Sequence, residues 1–146
     1  MHIREFKQED KHEVMQMASK LLPDYSGDML INDFRKKLAN PHHVGFICVK
    51  NEKILGFITM SLRFEHVPKA TTSPVAYIEA IFVKKDCRKM GIARKLYETA
   101  QAWAKSKHCS QMAADTWDWN KDSIWFHKKM GFEKTLTLVF FLKNLP

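Results

Sequence analysis

Residues 76–104 constrain the fold more than any other part of the chain. Ala76-Tyr77-Ile78-Glu79-Ala80-Ile81-Phe82-Val83 is an apolar run of strand length, interrupted only by Glu79 and bounded by Lys84 and Lys85. Beyond a short charged turn, Ile92, Ala93, Leu96, Tyr97, Ala100, Trp103 and Ala104 recur every three or four positions, the spacing of one helix face. The chain therefore runs strand, tight turn, helix, with Gly91 at the turn.

That turn is unlike an ordinary helix start. No Ser, Thr, Asp or Asn sits just before Gly91 to cap the first free N–H groups. Lys84, Lys85, Arg88, Lys89, Arg94 and Lys95 crowd the positive end of the helix dipole, with Asp86 the one local acid. Cations there cost about 0.3–1 kcal/mol each unless an anion joins them. Uncapped amides, a close-approach glycine and a ring of cations describe a phosphate cradle. The alternative is a solvated basic helix start that lacks a cap. Neither G-x-x-x-x-G-K-[ST] nor G-x-G-x-x-G is present, which weakens nucleoside-triphosphate and dinucleotide readings.

At 146 residues, 45% of them hydrophobic, the chain reads as one globular domain, 1–146. No apolar run reaches the roughly 20 residues of a membrane span, and Met1-His2-Ile3-Arg4-Glu5 is not a signal peptide. The expectation is a cytoplasmic protein without a membrane partner. Cys48, Cys87 and Cys109 form no C-x-x-C pair, so neither a disulfide framework nor a metal site is expected. The net charge of +8 admits a polyanion partner. The cations are spread along the chain, however, and no nucleic-acid-binding signature is evident, so no nucleic-acid partner is expected.

In chain order, a short strand is expected over Met1–Phe6 and a helix over Glu9–Leu22, stopped by Pro23. A second helix is expected over Asp28–Leu38, with Leu30, Ile31, Phe34 and Leu38 inward. Val44–Val49 and Ile54–Phe64 read as a hairpin, in which Gly56 marks a bulge or a close approach. A short strand at Ser110–Asp115, a helix over Ser123–Met130 capped by Gly131, and a final strand region over Phe132–Leu142 complete the pattern. The order reads as α/β with a mixed central β-sheet flanked by helices. The apolar stretch Leu136–Leu142 could pair with another subunit, and a homodimer is expected.

Arg88-x-x-Gly91-x-Ala93 resembles the R/Q-x-x-G-x-G/A signature of the GNAT superfamily of N-acetyltransferases. The resemblance implies acetyl-coenzyme A as co-substrate and no metal. Its pyrophosphate would lie on the turn formed by Arg88, Lys89, Met90, Gly91, Ile92, Ala93 and Arg94. Ile81 and Val83 would offer backbone groups to the pantetheine arm, and Asn120 would open the helix beside it. His127 stands where many members have a tyrosine that protonates the departing thiolate. More narrowly, Ser61–Val67, Thr72–Val75, Tyr77–Val83, Met112–Thr116 and Gly131–Thr135 look like aminoglycoside 6′-N-acetyltransferases. That likeness implies a small-molecule amine acceptor held near Glu65, His66, Glu79 and Asp115.

Transfer to an amine requires removal of an ammonium proton. Glu79 is the one charge in an apolar strand, either a base or acceptor ligand, or a core carboxylate paired with Lys or Arg. Asp115 is either acceptor-facing or a helix-flanking cap. His127 is either the acid for the thiolate or a surface histidine. Near Ile81 a backbone N–H would meet the oxyanion in the family arrangement. Trp117, Trp119 and Trp125 either line the acceptor cleft or pack. The leading expectation is acetyl transfer to the 6′-amine of aminoglycosides. The same chemistry on a polyamine, an amino acid or a protein N-terminus or lysine is the alternative. A nucleic-acid-binding module and a coenzyme A-binding protein without turnover are the remaining readings.

Overall fold

The computed structural model describes residues 1–21, 33 and 35–146. These fall into two compact units, Met1–Ala114 and Asp115–Pro146. The first holds a five-stranded sheet in the order β1 (His2–Glu5), β2 (His43–Lys50), β3 (Lys53–Arg63), β4 (Val75–Val83) and β5 (Met112–Ala114). Helices α1 (Lys11–Leu21) and α2 (Ile92–Ser106) pack against it. Three neighbouring pairs are antiparallel and β4–β5 is parallel, so the sheet is mixed, as the alternation of strand and helix patterns implies. The second unit carries α3 (Lys121–Lys129).

Local chemistry explains the joints. Asn51 and Glu52 both take positive φ, the geometry of a two-residue hairpin turn that matches strand twist. Gly56 is required because a Cβ there would lie 2.7 Å from the Phe82 carbonyl oxygen. Across the sheet, Ile47, Phe57 and Phe82 form one row, buried in a cluster with Val14 and Met17 of α1. Cys48 and Ile58 alternate to the opposite face, where Ile92, Leu96 and Ala100 of α2 are buried.

Three expectations change. A short 3-10 turn, Gln8–Asp10, precedes α1, which starts at Lys11. Of the expected helix Asp28–Leu38, Leu30, Ile31 and Phe34 lie outside the described residues, while residues 35–38 are helical and Leu38 is exposed. Phe132–Leu142 forms no strand. A strand needs a neighbouring strand to pair with, and no strand among the described residues pairs with this segment.

Arg4 and Asp10 tie β1 to the start of α1 through two hydrogen bonds of 2.9 and 2.8 Å, and the Lys7 amide donates to the same carboxylate at 2.8 Å. Asp10 is buried. Asp10→Ala therefore lowers stability by about 1–3 kcal/mol, read as a fall in melting temperature at pH 7. The hydrogen bonds from Arg4 hold the Asp10 carboxyl below its ordinary value. The native state thus binds this proton more weakly than the unfolded chain. The stabilisation is complete above the unfolded pKa and is lost as pH falls through the native one. Melting curves of the two proteins accordingly converge in strong acid.

Candidate active site

The site begins with an unpaired strand edge. β4 is bonded to β3 from Val75 to Val83, but to β5 only at Ala76, Tyr77 and Ile78. Beyond Ile78, no strand among the described residues pairs with that edge. Ile81 and Val83 lie in this stretch, where no described strand bonds that edge, although the Val83 carbonyl already accepts from Arg88.

The turn that follows has the geometry of an anion cradle. Lys89 and Gly91 take φ of 64° and 78°, and Gly91 opens α2 without a side-chain cap. The first bond back to the turn comes from the Lys95 amide to the Gly91 carbonyl. The amides of Ile92, Ala93 and Arg94 thus point out of the helix end. Nothing lies within 4 Å of where a Gly91 Cβ would stand, so a ligand can approach the backbone. Lys89, Met90 and Arg94 are exposed around it. Arg88 does something sequence reasoning did not anticipate. Its Nε donates to the Val83 carbonyl at 2.9 Å and its guanidinium lies 5.5 Å from the Phe82 ring centroid, closing the loop from β4.

Glu79 stands at an irregularity. Ala80 pairs with Thr59 and Ile78 with Met60, so Glu79 is the extra residue of a β-bulge, a device that re-aims a side chain. Its Oε1 accepts from Ser61 Oγ at 2.5 Å, Arg63 Nε at 3.3 Å and Arg63 Nη2 at 3.0 Å; among the described residues Oε2 accepts only from Arg63 Nη2, at 3.2 Å. The Arg63 guanidinium carbon lies 3.3 Å from the Tyr77 ring centroid. His43, Ser61 and Tyr77 share one row across three strands. Burial, assisted by the charge of Lys37, pushes the His43 imidazole down, so it is neutral at pH 7. Sequence reasoning missed this polar row. Its signal was Ser61 and Arg63 at the i, i+2 spacing of one strand face, near the end of an apolar strand. Glu65 and His66 are exposed in the loop after β3.

In the second unit Asn120 caps α3, its Oδ1 accepting from the Ser123 amide at 3.2 Å. Asp115 is exposed. Trp117 and Trp119 are exposed and nearly parallel, 9° apart, while Trp125 lies under the Lys129 ammonium. His127 is held on three sides. Nδ1 lies 2.7 Å from the Ser123 carbonyl, and Phe126 and Phe132 pack edge-on against the ring. A carbonyl only accepts, so Nδ1 carries the proton. Nε2 is buried with no hydrogen-bond partner among the described residues, and in the neutral ring it presents a lone pair.

A strand edge with no described strand beside it thus leads into an uncapped helix start ringed by cations. The chain belongs to the acetyltransferase (GNAT) family, whose model matches residues 10–132. It is an acyltransferase. It is similar to aminoglycoside N(6′)-acetyltransferase type 1 of Serratia marcescens, 36% identical over 114 residues that cover 77% of this chain and 78% of the relative. The enzyme of that description from Salmonella enteritidis is 31% identical over 144 residues, 99% of each chain. Among solved structures, AAC(6')-Iy in complex with the bisubstrate analog CoA-S-monomethyl-acetylneamine matches with a TM-score of 0.91 at 30% identity, covering 99% of this chain and 98% of that one. Apo AAC(6')-IG from Acinetobacter haemolyticus matches with a TM-score of 0.91 at 26% identity over 100% of both.

The fixed ring orientation of His127 is directly measurable. Long-range proton–nitrogen NMR correlation at pH 8 should show an Nδ1–H tautomer for His127, with Nε2 as the unprotonated nitrogen. An Nε2–H tautomer would remove the Ser123 bond as its determinant.

Proposed function

We propose that this single-domain protein acetylates the 6′-amine of aminoglycosides with acetyl-coenzyme A in the cytoplasm, and so confers resistance to them. The observation that carries the acceptor is likeness over nearly the whole chain to enzymes described as aminoglycoside N(6′)-acetyltransferases. The observation that supports the donor is the open β4 edge leading into the Gly91 cradle. In this reading residues Arg88–Arg94 take the pyrophosphate, Ile81 and Val83 meet the pantetheine amides, and Asn120 fixes the start of α3.

Glu79, with Asp115, Glu65 and His66, draws in the acceptor ammonium, and Glu79 takes its proton. The free amine then attacks the thioester carbonyl, forming the C–N bond, and a backbone N–H near Ile81 meets the oxyanion. Collapse breaks the C–S bond. The nitrogen loses one proton and the sulfur gains one. His127 is the acid at sulfur.

The test is thiol release from acetyl-coenzyme A against aminoglycosides bearing a 6′-amine or a 6′-hydroxyl, polyamines, amino acids and basic peptides. Turnover confined to the 6′-amino compounds is expected, with Glu79→Gln lowering kcat/KM about 100-fold or more. Turnover only with another amine would overturn the acceptor, and silence throughout would overturn the reading.

The C-terminal segment supports a homodimer. Val139, Phe140, Phe141 and Leu142 are 77–95% exposed, and their backbone pairs with no described strand. A second copy would cover these side chains and bond that backbone. Sedimentation at micromolar concentration should give a dimer mass, and Phe141→Asp should shift it towards the monomer. A monomeric wild-type protein would refute the pairing.

A further inference from the structure

We infer that Arg63 is a positioning residue for the acceptor: it fixes the Glu79 carboxylate so that Oε2 is the oxygen presented to the incoming ammonium. This rests on the reading that Glu79 meets the acceptor amine. Arg63 forks onto the carboxylate, Nε donating to Oε1 and Nη2 to Oε2. Nη2 also reaches Oε1, which takes the Ser61 hydroxyl as a third donor. Oε1 is thereby saturated. Among the described residues Oε2 receives a single 3.2 Å bond and has room for a further donor.

The arrangement is held from both ends. Tyr77 lies face-on beneath the guanidinium, which fixes the plane of Arg63. The bulge fixes the direction of Glu79. Both side chains stay partly open, at 41% and 23% exposure, so a ligand can reach the pair. Arginine does not release its proton, so Arg63 orients Glu79 without competing for the proton the amine must lose.

The experiment compares Arg63→Met, which keeps an apolar stem on Tyr77 without the fork, with Arg63→Lys, Glu79→Gln and the double variant Arg63→Met/Glu79→Gln. Arg63→Met should raise the acceptor KM about tenfold or more, while the acetyl-coenzyme A KM stays within about twofold. Lysine should restore part of the loss. In the Glu79→Gln background the same substitution should change the acceptor KM by less than about twofold, because the orientation being set no longer matters. Independent, multiplying effects would overturn the inference. So would an unchanged acceptor KM, or parallel loss for both substrates that tracks melting temperature. A wild-type protein silent with every amine would overturn the functional reading and this inference together; an active wild type with an unaffected Arg63→Met overturns this inference alone.

Discussion

The arrangement of the first unit hangs on β4 having two different neighbours. On one side β3 bonds it along its whole length; on the other β5 leaves after Ile78. The first contact makes the strand rigid. The second leaves part of its backbone with hydrogen-bonding capacity that a soluble fold ordinarily fills. A ligand with amides along its length can fill it, and the same strand then delivers the chain to the Gly91 turn. Arg88 secures that delivery. By bonding the Val83 carbonyl it sets the loop at a fixed distance from the strand end, which allows the amides of Ile92–Arg94 to face one point in space.

The bulge in the β3–β4 pairing does related work on side chains. In an unbroken ladder Glu79 would face a residue of β3 directly. As the extra residue it turns towards Ser61 and Arg63 instead. A partly buried carboxylate without donors would be costly. With three donors on one oxygen it is satisfied, and still keeps acceptor capacity on the other. Ion pairing and function, set against each other as alternatives for Glu79, are thus compatible.

Much of this was legible before any coordinates. The strand, the uncapped glycine turn and the helix face of 92–104 follow from periodicity and the absence of a capping residue, both strong local signals. The hairpin and the close approach at Gly56 follow equally from local chemistry. What was not legible is non-local. The partner of Glu79 depends on a bulge, and a bulge is a property of two strands in register. The inward turn of Arg88 depends on where the Val83 carbonyl falls. The orphaned Nε2 of His127 depends on packing against Phe126 and Phe132. The strand pattern over Phe132–Leu142 misled for the same reason. Composition shows that a segment suits a ladder; whether its chain supplies the partner strand is a matter of topology.

The basic surplus, which opposes a cationic acceptor, is resolved by distance. Its densest concentration in the sequence is residues 84–95, of which Lys85, Lys89, Arg94 and Lys95 are exposed while Lys84 pairs with Glu13 and Arg88 turns to the Val83 carbonyl; a diphosphate is the fitting counter-charge there. At physiological ionic strength exposed charges are screened over about 8 Å, so those cations act on what sits in the turn and weakly on anything well beyond it. Around Glu79 the balance is different. Arg63 offsets one carboxylate, and His43 is neutral at pH 7 because burial disfavours its charged form. The cluster is close to electrically neutral while one carboxylate oxygen remains open. In the proposed reading, a cation arriving there meets a directed acceptor rather than a repulsive field, while the anionic donor meets the cations of the turn.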